Sequence, residues 1–363
     1  MKNDRTVYLI DGSAYIYRAY HAIRGLSNSK GLPTNAAFGF TRMLIKLIED
    51  RSPEYVAMFF DAKGPTFRHE IYPDYKANRP PMPEDLSVQV PYIKEITHGF
   101  NIPVMEIQGF EADDLIGTFR GRAEAAGFSV VMVTGDKDFV QLVTDTAIIW
   151  DPMKEKIIDL KGVRKSFGVE PKQMIDVMAL SGDSSDNIPG VPGIGPKTAL
   201  SLIQTYGNIE HLYEQIDTIT KKKQHENLVQ YREQAFLSKK LVKIDTDAPV
   251  LFNPENLKCE PPDNNRLSGL FKTLEFRQLQ QAFPQETDLS NKNYCPIFDL
   301  PALSDLLVRL EATEIFAVDT ETTSKNPMKA RIVGLSFSIK SHEAFYIPCA
   351  HNYPDAPAQL ELK

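Results

Sequence analysis

Short apolar runs alternate with amphipathic stretches along the first 160 residues of the chain. Helical periodicity, in which apolar side chains recur every three or four positions, separates these apolar runs. The predicted helices cover 36–50, 85–99, 112–126 and 138–143. The predicted strands cover 6–10, 55–60, 103–106, 129–134 and 147–150. Because strands that alternate with helices form largely parallel sheets, we predict an α/β fold with a mostly parallel central sheet.

The pattern changes after residue 170. Helical periodicity dominates as far as residue 245, around a Gly/Pro-rich run at 188–197, and shorter elements follow. A polar stretch without periodicity then predicts a linker. A second α/β pattern begins beyond it, with predicted strands at 314–319, 331–339 and 343–348. We therefore divide the chain into four parts: 1–170, 171–283, 284–296 and 297–363.

The composition is typical of a globular protein from a reducing compartment. Hydrophobic residues make up 42% of the 363 residues and charged residues 25%, which are ordinary values for a protein with a core. No apolar run reaches the length of a membrane span, and the first residues lack the pattern of a secretory signal. Cys259, Cys295 and Cys349 have no zinc or disulfide spacing. We expect a cytoplasmic protein without a membrane partner.

The net charge of −7 at first argues against a nucleic-acid partner, because phosphates need a basic surface. Nine carboxylates that we assign to metal binding carry more negative charge than the whole net charge of the chain. Three of them, Asp11, Asp61 and Asp136, follow apolar runs. Ligands of open α/β sheets bind beyond the carboxyl ends of the strands, where gathered carboxylates repel one another unless a cation joins them. The predicted metal ligands are Asp11, Asp61, Glu111, Asp113, Asp114, Asp136, Asp138, Asp183 and Asp186.

Oxygen ligands in this number suit two Mg²⁺ or Mn²⁺ ions, so the pattern predicts a two-metal phosphodiesterase. Each acidic group also has a simpler interpretation. The acids at 111–114 complement the dipole of a helix start, and Asp136 with Asp138 fits a turn and a helix cap. Asp183 and Asp186 fit a helix stop. The occurrence of all three groups in one chain favours the metal site.

A Gly/Pro-rich run at 188–197 predicts a contact with phosphate. It resembles a helix–hairpin–helix loop, in which backbone N–H groups at Gly193 and Gly195 and the charge of Lys197 hold a phosphate without reading base sequence. The alternative interpretation is a plain connection between two helices. The position of the run directly after Asp186 favours the phosphate contact.

The segment 62–84 is too long and too polar for an ordinary connection, so it is either functional or disordered. In the functional interpretation, Lys76 and Arg79 face a phosphate and Tyr75 offers a stacking surface. A solvated charged loop is the simpler alternative. Far along the chain, Asp319 and Glu321 lie two positions apart on a predicted strand, and therefore on one face. This spacing suggests a second pair of metal-binding carboxylates.

These motifs together resemble a known family. Residues 1–290 are similar to the N-terminal 5′ nuclease domain of the bacterial DNA polymerase I family, which is one of the flap endonucleases. Residues 314–363 are similar to the first strands of the 3′→5′ exonuclease domain in that family, with Asp319 and Glu321 in its first motif. The nuclease motifs are Asp11-Gly-Ser, Phe60-Asp61, Tyr75-Lys-Ala-Asn-Arg79, Glu111-Ala-Asp-Asp114, Thr134-Gly-Asp-Lys-Asp138 and the run from Asp183 to Lys197.

The resemblance implies a PIN-like nuclease domain with a helical arch over the site and an all-helical element that grips duplex DNA. It places Tyr17 where such enzymes stack a substrate base, and a K⁺ ion at the hairpin. It places Asp114 and Asp186 behind the direct ligands. It also implies two metal ions, one near Asp11, Asp61, Glu111 and Asp113, and the other near Asp136, Asp138, Asp183 and Asp186.

The later carboxylates of the 3′→5′ exonuclease and the polymerase domain of the family have no counterpart in the sequence. For 297–363 we therefore expect a partial RNase H-like α/β domain without proofreading activity. Its sheet is expected to leave an open edge and an uncovered apolar face, formed by residues that include Val333, Leu335 and Phe337.

We therefore expect a structure-specific 5′→3′ exonuclease and flap endonuclease for DNA replication and repair. The expected substrates are DNA flaps, nicks, 5′ ends and RNA–DNA primers, bound irrespective of sequence by a monomer in the bacterial cytoplasm at the nucleoid. Two alternatives stay open. The chain is a non-catalytic DNA-binding module that uses its hairpin alone, or it is a fragment of a protein whose activity is DNA-directed DNA polymerisation.

Overall fold

The structure, a computed structural model, describes residues 5–285, 293–324, 326–354, 356 and 359–360. The chain forms two compact units, 1–285 and 286–363, each of which is described by itself below. No helix within the described ranges is both long and apolar enough to cross a membrane.

A six-stranded sheet forms the centre of the first unit. Its strand order is β3-β2-β1-β4-β5-β6, and every neighbouring pair is parallel except β5 and β6. The carboxyl ends of the parallel strands therefore meet at one edge of the sheet. The strands are β1 (Thr6–Asp11), β2 (Tyr55–Phe59), β3 (Val104–Met105), β4 (Ser129–Val133), β5 (Ala147–Asp151) and β6 (Lys156–Ile158).

Both faces of this sheet are buried, which is why its strands consist of nearly continuous apolar runs. Successive side chains of a strand point to opposite faces. Val7 and Leu9 of β1 accordingly join one hydrophobic cluster, whereas Ile10 joins the other. The helices that surround the sheet are α1 (Gly12–Ala22), α2 (Asn35–Arg51), α3 (Phe67–Ile71), α4 (Glu84–Ser87), α5 (Val90–Gly99) and α6 (Ala112–Ala125).

The rest of the first unit is helical, as the periodicity after residue 170 predicts. Helices α8 and α12 pack against each other, and the loop that holds the Gly/Pro-rich run joins α8 to α9. The elements are α7 (Leu160–Phe167), α8 (Met174–Ser181), α9 (Pro196–Tyr206), α10 (Ile209–Glu214), α11 (Lys222–Gln230), α12 (Arg232–Val242), α13 (Asn264–Leu274) and α14 (Arg277–Ala282). Short 3₁₀ helices lie at Lys137–Leu142, Pro171–Gln173, Ile216–Thr218 and Pro254–Leu257.

The predicted parallel sheet is confirmed, although several of the surrounding elements differ from the prediction. Helix α1 was not predicted, because its Tyr and Ile residues favour strands and obscure the helical period. The predicted helix at 85–99 is two helices, α4 and α5. The short strand β6 pairs antiparallel at the edge of the sheet, and three residues are too few for a pattern.

The second unit is built on a four-stranded sheet with the order β7-β10-β9-β8. Strands β7 and β10 are parallel, and the other pairs are antiparallel. The elements are β7 (Asn293–Pro296), α15 (Leu300–Glu311), β8 (Ala317–Thr322), β9 (Ile332–Lys340) and β10 (Glu343–Pro348). Strand β8 forms one edge of the sheet, and all six of its residues are exposed.

Two predictions for the second unit need correction. The linker prediction for 284–296 fails at 293–296, where β7 pairs with β10, whereas its central part, 286–292, lies outside the described residues. The apolar face was predicted to be uncovered, but α15 packs Leu306 against one face, and Leu335 and Phe337 are partly buried there. No helix is predicted over 300–311, where the structure has α15.

Candidate active site

Two carboxylates, Asp11 and Asp61, lie at the shared edge of the first sheet. Asp11 is the last residue of β1 and caps α1, since its side chain accepts a hydrogen bond from the Ala14 amide at 2.9 Å. Its second oxygen accepts one from the Thr134 hydroxyl at 2.9 Å. Asp61 follows β2 and accepts a hydrogen bond from the Ala112 amide at 2.8 Å, which ties the end of β2 to the start of α6.

The start of α6 contributes a second group of acids. Glu111 is the N-cap residue of α6, and Asp113 and Asp114 lie in its first turn. Glu111 is buried, and its carboxylate contacts Lys76 Nζ at 2.7 Å and the Tyr75 hydroxyl at 3.1 Å. Side chains that enter from a helix start therefore reach the same edge as the strand ends.

The third group consists of Asp136 and Asp138, after β4, and of Asp183 and Asp186, after α8. The Asp138 amide donates to the Asp136 side chain at 2.9 Å. Lys137 Nζ lies 3.0 Å from an oxygen of Asp183, so the two segments are joined by an ion pair. Asp186 is buried and accepts a hydrogen bond from Tyr75 at 3.0 Å.

The pKa values of these acids show that they share one environment. Burial, together with the charges of Asp61 and Asp136, raises the pKa of Asp11 to about 7. Burial also raises the pKa of Asp113, to which the charges of Asp11 and Asp136 add. For Asp138, burial and then the charges of Asp136 and Asp183 raise the pKa to about 7. Acids from the strand ends and from α6 therefore repel one another.

This chemistry fits divalent cations. One oxygen of Asp138 is buried and has no hydrogen-bond partner, so it is free to coordinate an ion. Carboxylate oxygens are the ligands that Mg²⁺ and Mn²⁺ prefer. Within the described ranges, however, no three acidic, histidine or cysteine side chains form a ready-made metal cluster. Lysine and arginine side chains instead lie between the acids, and an ion would have to compete with them.

Lys76 and Arg79 are the cations closest to these acids. Lys76 Nζ lies 2.7 Å from Glu111 and 3.7 Å from Asp186, so it bridges an acid of α6 and an acid that follows α8. Arg79 forms an ion pair with Asp186 and donates to the carbonyl of Ser185 at 3.0 Å. Both predicted phosphate-facing residues therefore lie at the acidic site, although their partners here are carboxylates.

Tyr75 does not offer the predicted stacking surface. Its side chain is buried, and its hydroxyl, which has one proton to donate, lies within hydrogen-bond distance of both Glu111 and Asp186. Burial and these negative charges raise the pKa of Tyr75 well above its usual value. The Tyr75 hydroxyl therefore helps to position two carboxylates. We revise the predicted role of Tyr75 from substrate binding to the positioning of these acids.

The segment 62–84 packs against the rest of the first unit, and hydrogen bonds from Asn78 and Arg79 hold its second half to residues 184–185. It forms α3 and holds two buried side chains, Arg68 and Tyr75. The helices within and at the end of this segment, α3 and α4, are both short. Tyr17 is 41% exposed and lines a cavity of about 660 Å³ beside this segment. Asp61 and Arg79 line the same cavity, so a base stacked on Tyr17 would lie near the acids.

Asp114 has no oxygen available for an ion. It is fully buried, and Arg68 binds both of its oxygens, at 2.7 and 2.8 Å. The same oxygens accept hydrogen bonds from the amides of Asp245, at 2.8 Å, and Glu111, at 3.1 Å. We therefore correct its inclusion among the metal ligands. Its carboxylate fixes the backbone at Glu111 from behind the site.

The predicted phosphate-binding residues of the hairpin lie on the surface. Gly193, Gly195 and Lys197 are all exposed, and Gly195 caps α9, which begins at Pro196. Lys197 also lines a cavity of about 330 Å³ together with Lys221. Backbone amides at a helix start beside two lysines are a suitable arrangement for a phosphate.

The glycines of the hairpin have two different structural roles. Gly190 has a φ of +59°, and a Cβ atom there would lie 2.3 Å from the backbone nitrogen of Gly182. Two segments of the backbone, at 181–182 and at Gly190, lie in close contact here, so only glycine fits. A Cβ atom at Gly195 would meet no atom within 4 Å. Gly190 therefore serves the fold, whereas Gly195 faces solvent.

Replacing Gly190 by Ala should destabilise the protein by roughly 2–3 kcal/mol, because a strained backbone and a backbone clash add together. Urea unfolding followed by circular dichroism measures this loss. A variant as stable as the original protein would show that the crossing relaxes without cost.

Replacing Gly195 by Val should lower the free energy of unfolding by no more than about 1 kcal/mol, because valine is a poorer N-cap residue than glycine, and should weaken binding of duplex DNA by about tenfold. The new side chain blocks the approach of a phosphate to the backbone, and the salt dependence of binding should become shallower. Fluorescence anisotropy at several salt concentrations measures both. Unchanged affinity and an unchanged salt slope would make 188–197 a plain connection.

The carboxylates of the second unit lie on its edge strand. Asp319 and Glu321 are exposed on β8, two positions apart and so on one face. Glu321 lines a cavity of about 570 Å³ with Tyr346 and His351. The strand itself spans Ala317–Thr322 rather than the predicted 314–319, so both acids lie within it.

Sequence patterns did not identify Arg68, Thr134 or Lys137 as part of the site. Thr134 holds Asp11 and also accepts a hydrogen bond from the Asp136 amide at 3.1 Å. Lys137 pairs with Asp183. The position of Thr134 and Lys137 within the motif at 134–138 was an available signal. Arg68 gave none, since a single arginine in a polar segment is usually solvated.

Models of known protein families match almost all of the chain. Residues 6–168 match the 5′-3′ exonuclease N-terminal resolvase-like domain, and residues 169–265 match the 5′-3′ exonuclease C-terminal SAM fold. Residues 294–363 match a 3′-5′ exonuclease model.

Curated relatives agree with these matches. A 5′-3′ exonuclease of Aquifex aeolicus is 42% identical over 275 residues, which cover 76% of this chain and 94% of that protein. DNA polymerase I of Pseudomonas aeruginosa is 40% identical over 372 residues, which cover 97% of this chain and 41% of that protein. The chain thus spans well under half the length of the DNA polymerase I relatives that it matches.

Solved structures share the fold. A bacteriophage T5 flap endonuclease, in a pseudo-enzyme-product complex with DNA and metal ions, matches with a TM-score of 0.57 and 22% identity, over 77% of this chain and 98% of that chain. The catalytic core of Rad2 in complex with DNA substrate matches with a TM-score of 0.53 and 18% identity, over 78% of this chain and 93% of that chain. From its motifs, its sheet and its relatives, the chain belongs to the 5′-3′ exonuclease family, and it is also similar to part of DNA polymerase I.

Proposed function

We propose that this protein is a divalent-metal-dependent 5′ nuclease that hydrolyses phosphodiester bonds of DNA at flaps, nicks, 5′ ends and RNA–DNA primers. The observation that carries the proposal is the meeting of acids from three segments at one sheet edge. Burial and the charges of neighbouring acids raise the pKa of Asp11 and Asp138 to about 7. So much mutual repulsion at a sheet edge is typical of a metal site.

Two groups of residues would hold the ions. Magnesium or manganese, when bound, would supply a positive charge that polarises the phosphodiester and lowers the pKa of water. The chain's own residues would orient the acids and bind the substrate. The proposed groups are Asp11, Asp61, Glu111 and Asp113 for one ion, and Asp136, Asp138 and Asp183 for the other, with Asp186 behind these ligands.

The chain's cations would serve the reacting phosphate. Lys76 and Arg79 lie at the site on the acids Glu111 and Asp186. Once divalent ions neutralise those acids, both side chains become available to a phosphate and offset the charge that develops on its oxygens. Tyr17, which is exposed and lines the adjoining cavity, would stack on a base and orient the strand.

Substrate selection would depend on the shape of the DNA rather than on its base sequence. The exposed hairpin residues Gly195 and Lys197 are suited to bind the duplex backbone, which carries no sequence information directly. A duplex held there and a single strand led past Tyr17 to the acids would define a junction as the substrate. We propose that the protein does this as a monomer in the bacterial cytoplasm, with K⁺ at the hairpin.

The test is cleavage of a 5′-labelled flap with and without Mg²⁺. We expect a product with a 3′-hydroxyl near the junction, formed only when the ion is present. A blunt duplex and a single strand of the same sequence are the controls for shape. Binding without any cleavage across Mg²⁺, Mn²⁺ and a range of flaps would instead support the DNA-binding module.

Stability without divalent ions should fall as the pH rises from about 4 to about 7. Asp11 and Asp138 have a pKa near 4 in the unfolded chain and of about 7 in the folded protein. The folded state therefore binds more protons, and its stability contribution is complete below the unfolded pKa and lost as the pH rises through the folded pKa. Mg²⁺ should then raise the melting temperature more at about pH 8 than at about pH 5. Calorimetry at both values measures this, and equal shifts would contradict it.

A further inference from the structure

Arg68 is a buried arginine that joins three parts of the first unit. Its guanidinium binds Asp114, at the start of α6, through two hydrogen bonds of 2.7 and 2.8 Å. Its Nε atom donates to the carbonyl of Leu241 at 2.9 Å, and Nη2 donates to that of Lys243 at 3.0 Å. Arg68 itself lies on α3, the helix before the segment that carries Lys76.

The carbonyl of Leu241 lies at the C-terminal end of α12. The last carbonyls of a helix have no partner within the helix and attract positive charge. Arg68 supplies both a donor and a charge to this end. The Asp245 amide closes the arrangement by donating to Asp114 at 2.8 Å. Arg68 and Asp114 together therefore fix the end of α12 to the start of α6.

The same helix contacts the hairpin. The hydroxyl of Ser238, on α12, accepts a hydrogen bond from the Gly190 amide at 3.1 Å, and Gln234 donates to the Gly190 carbonyl at 2.6 Å. Ser238 and Leu241 are three residues apart on α12, a rise of about 4.5 Å. Less than two turns of helix thus separate the hairpin backbone from Arg68.

On its other side, Arg68 contacts the acids of the proposed active site. Its Nη1 atom lies 3.6 Å from Glu111. Asp114, which it holds, accepts the amide of Glu111 at 3.1 Å. Glu111 in turn is the carboxylate that contacts Lys76 and Tyr75. A change at the end of α12 would therefore reach the site through contacts that all lie within hydrogen-bond or ion-pair distance.

We propose that Arg68 is a positioning residue that couples the binding of duplex DNA at the hairpin to the placement of Glu111 and Lys76. This inference rests on the proposed nuclease function. A duplex phosphate held at the hairpin fixes the Gly190 turn and hence α12. The end of α12 then holds Arg68, which sets Asp114 and the backbone of Glu111. Cleavage of the strand thus depends on a correctly gripped duplex.

The test is a double-mutant cycle between Ser238→Ala and Arg68→Lys, measured by single-turnover cleavage of a saturating flap substrate. Arg68→Lys keeps the charge but loses the paired hydrogen bonds that the guanidinium donates to Asp114. It should slow cleavage by roughly tenfold to a hundredfold, the range for residues that orient a ligand. Ser238→Ala should slow it by about fivefold. In the Arg68→Lys background, Ser238→Ala should cause no further loss.

Roles for Ser238 without this coupling predict different cleavage rates. If Ser238 only helps grip DNA, its replacement changes the Michaelis constant and leaves the saturated rate intact, which would overturn the inference. Multiplicative losses in the double variant would also overturn it. Ser166→Ala, an exposed serine on α7, is the matched control and should have no effect.

Folding and activity are separated by two further measurements. If Arg68→Lys does not fold, Asp114→Asn replaces it in the cycle, since it keeps the shape of the pair, and the same outcomes decide. Even without a partner variant, an unchanged saturated rate for Ser238→Ala would overturn the inference. If the unsubstituted protein cleaves no flap at all, the proposed function itself is wrong. If it cleaves flaps but the two substitutions act independently, only the proposed coupling is wrong.

Discussion

Replacement of Asp138 by Asn should reduce the rate of flap cleavage on the order of a thousandfold. Asp138 has a buried oxygen without a partner, and burial with the charges of Asp136 and Asp183 raises its pKa to about 7. Asparagine keeps the shape of the side chain but removes the charge that an ion requires. Single-turnover cleavage in saturating Mg²⁺ measures the loss.

Binding of DNA should survive the same substitution. The hairpin, rather than the acids, is expected to hold the duplex, so affinity measured in EDTA should change by less than about threefold. The removal of a like charge should also raise the melting temperature without ions at about pH 8. Asp145→Asn, at an exposed aspartate away from these acids, is the control. Cleavage by Asp138→Asn at the original rate would remove Asp138 from the metal site.

Replacement of Lys76 by Ala should slow single-turnover cleavage by about a hundredfold, the scale of one lost electrostatic stabiliser. Affinity for the flap should change much less, because Lys76 is expected to act on the reacting phosphate rather than on the duplex. Arg79→Ala should behave in the same way. Cleavage rates and anisotropy on the same flap measure both quantities.

The control variants separate charge from folding. Lys76→Arg keeps the charge and should recover part of the rate, whereas Lys46→Ala, an exposed lysine on α2, should have no effect. Lys76 has a φ of +57°, but alanine carries the same Cβ atom, so the backbone strain is unchanged. If Lys76→Ala loses affinity and rate in equal measure, Lys76 is a binding residue and its proposed role in the reaction fails.

Sequence patterns predict the frame of the site because the physics there is periodic. Parallel strands buried on both faces form apolar runs, and Asp11 and Asp61 follow such runs at the edge where ligands bind. The expected neighbourhood of these acids therefore required no knowledge of loops. The repulsion that raises the pKa of Asp11 agrees with that expectation.

Irregular segments carry no such period, and here the predictions were incomplete. Nothing in the residues around Tyr75 distinguishes a ring that faces solvent from one beneath two carboxylates. Burial of Arg68 depends on Asp114, which lies 46 positions away, and on carbonyls of α12 that no side-chain pattern reveals. Contacts of this kind are set by tertiary packing rather than by local sequence.

The position of β1 at the centre of the sheet has a consequence for synthesis on the ribosome. This strand pairs with β2 on one side and with β4 on the other, in the register Thr6 to Ser129. About 120 further residues must therefore be made before the second partner exists, which takes roughly 6–25 seconds at ordinary translation rates. Until then an apolar strand has one unpaired edge, and pairing across such a separation is slow. Newly made chains should thus depend on chaperones during this interval more than the finished protein does.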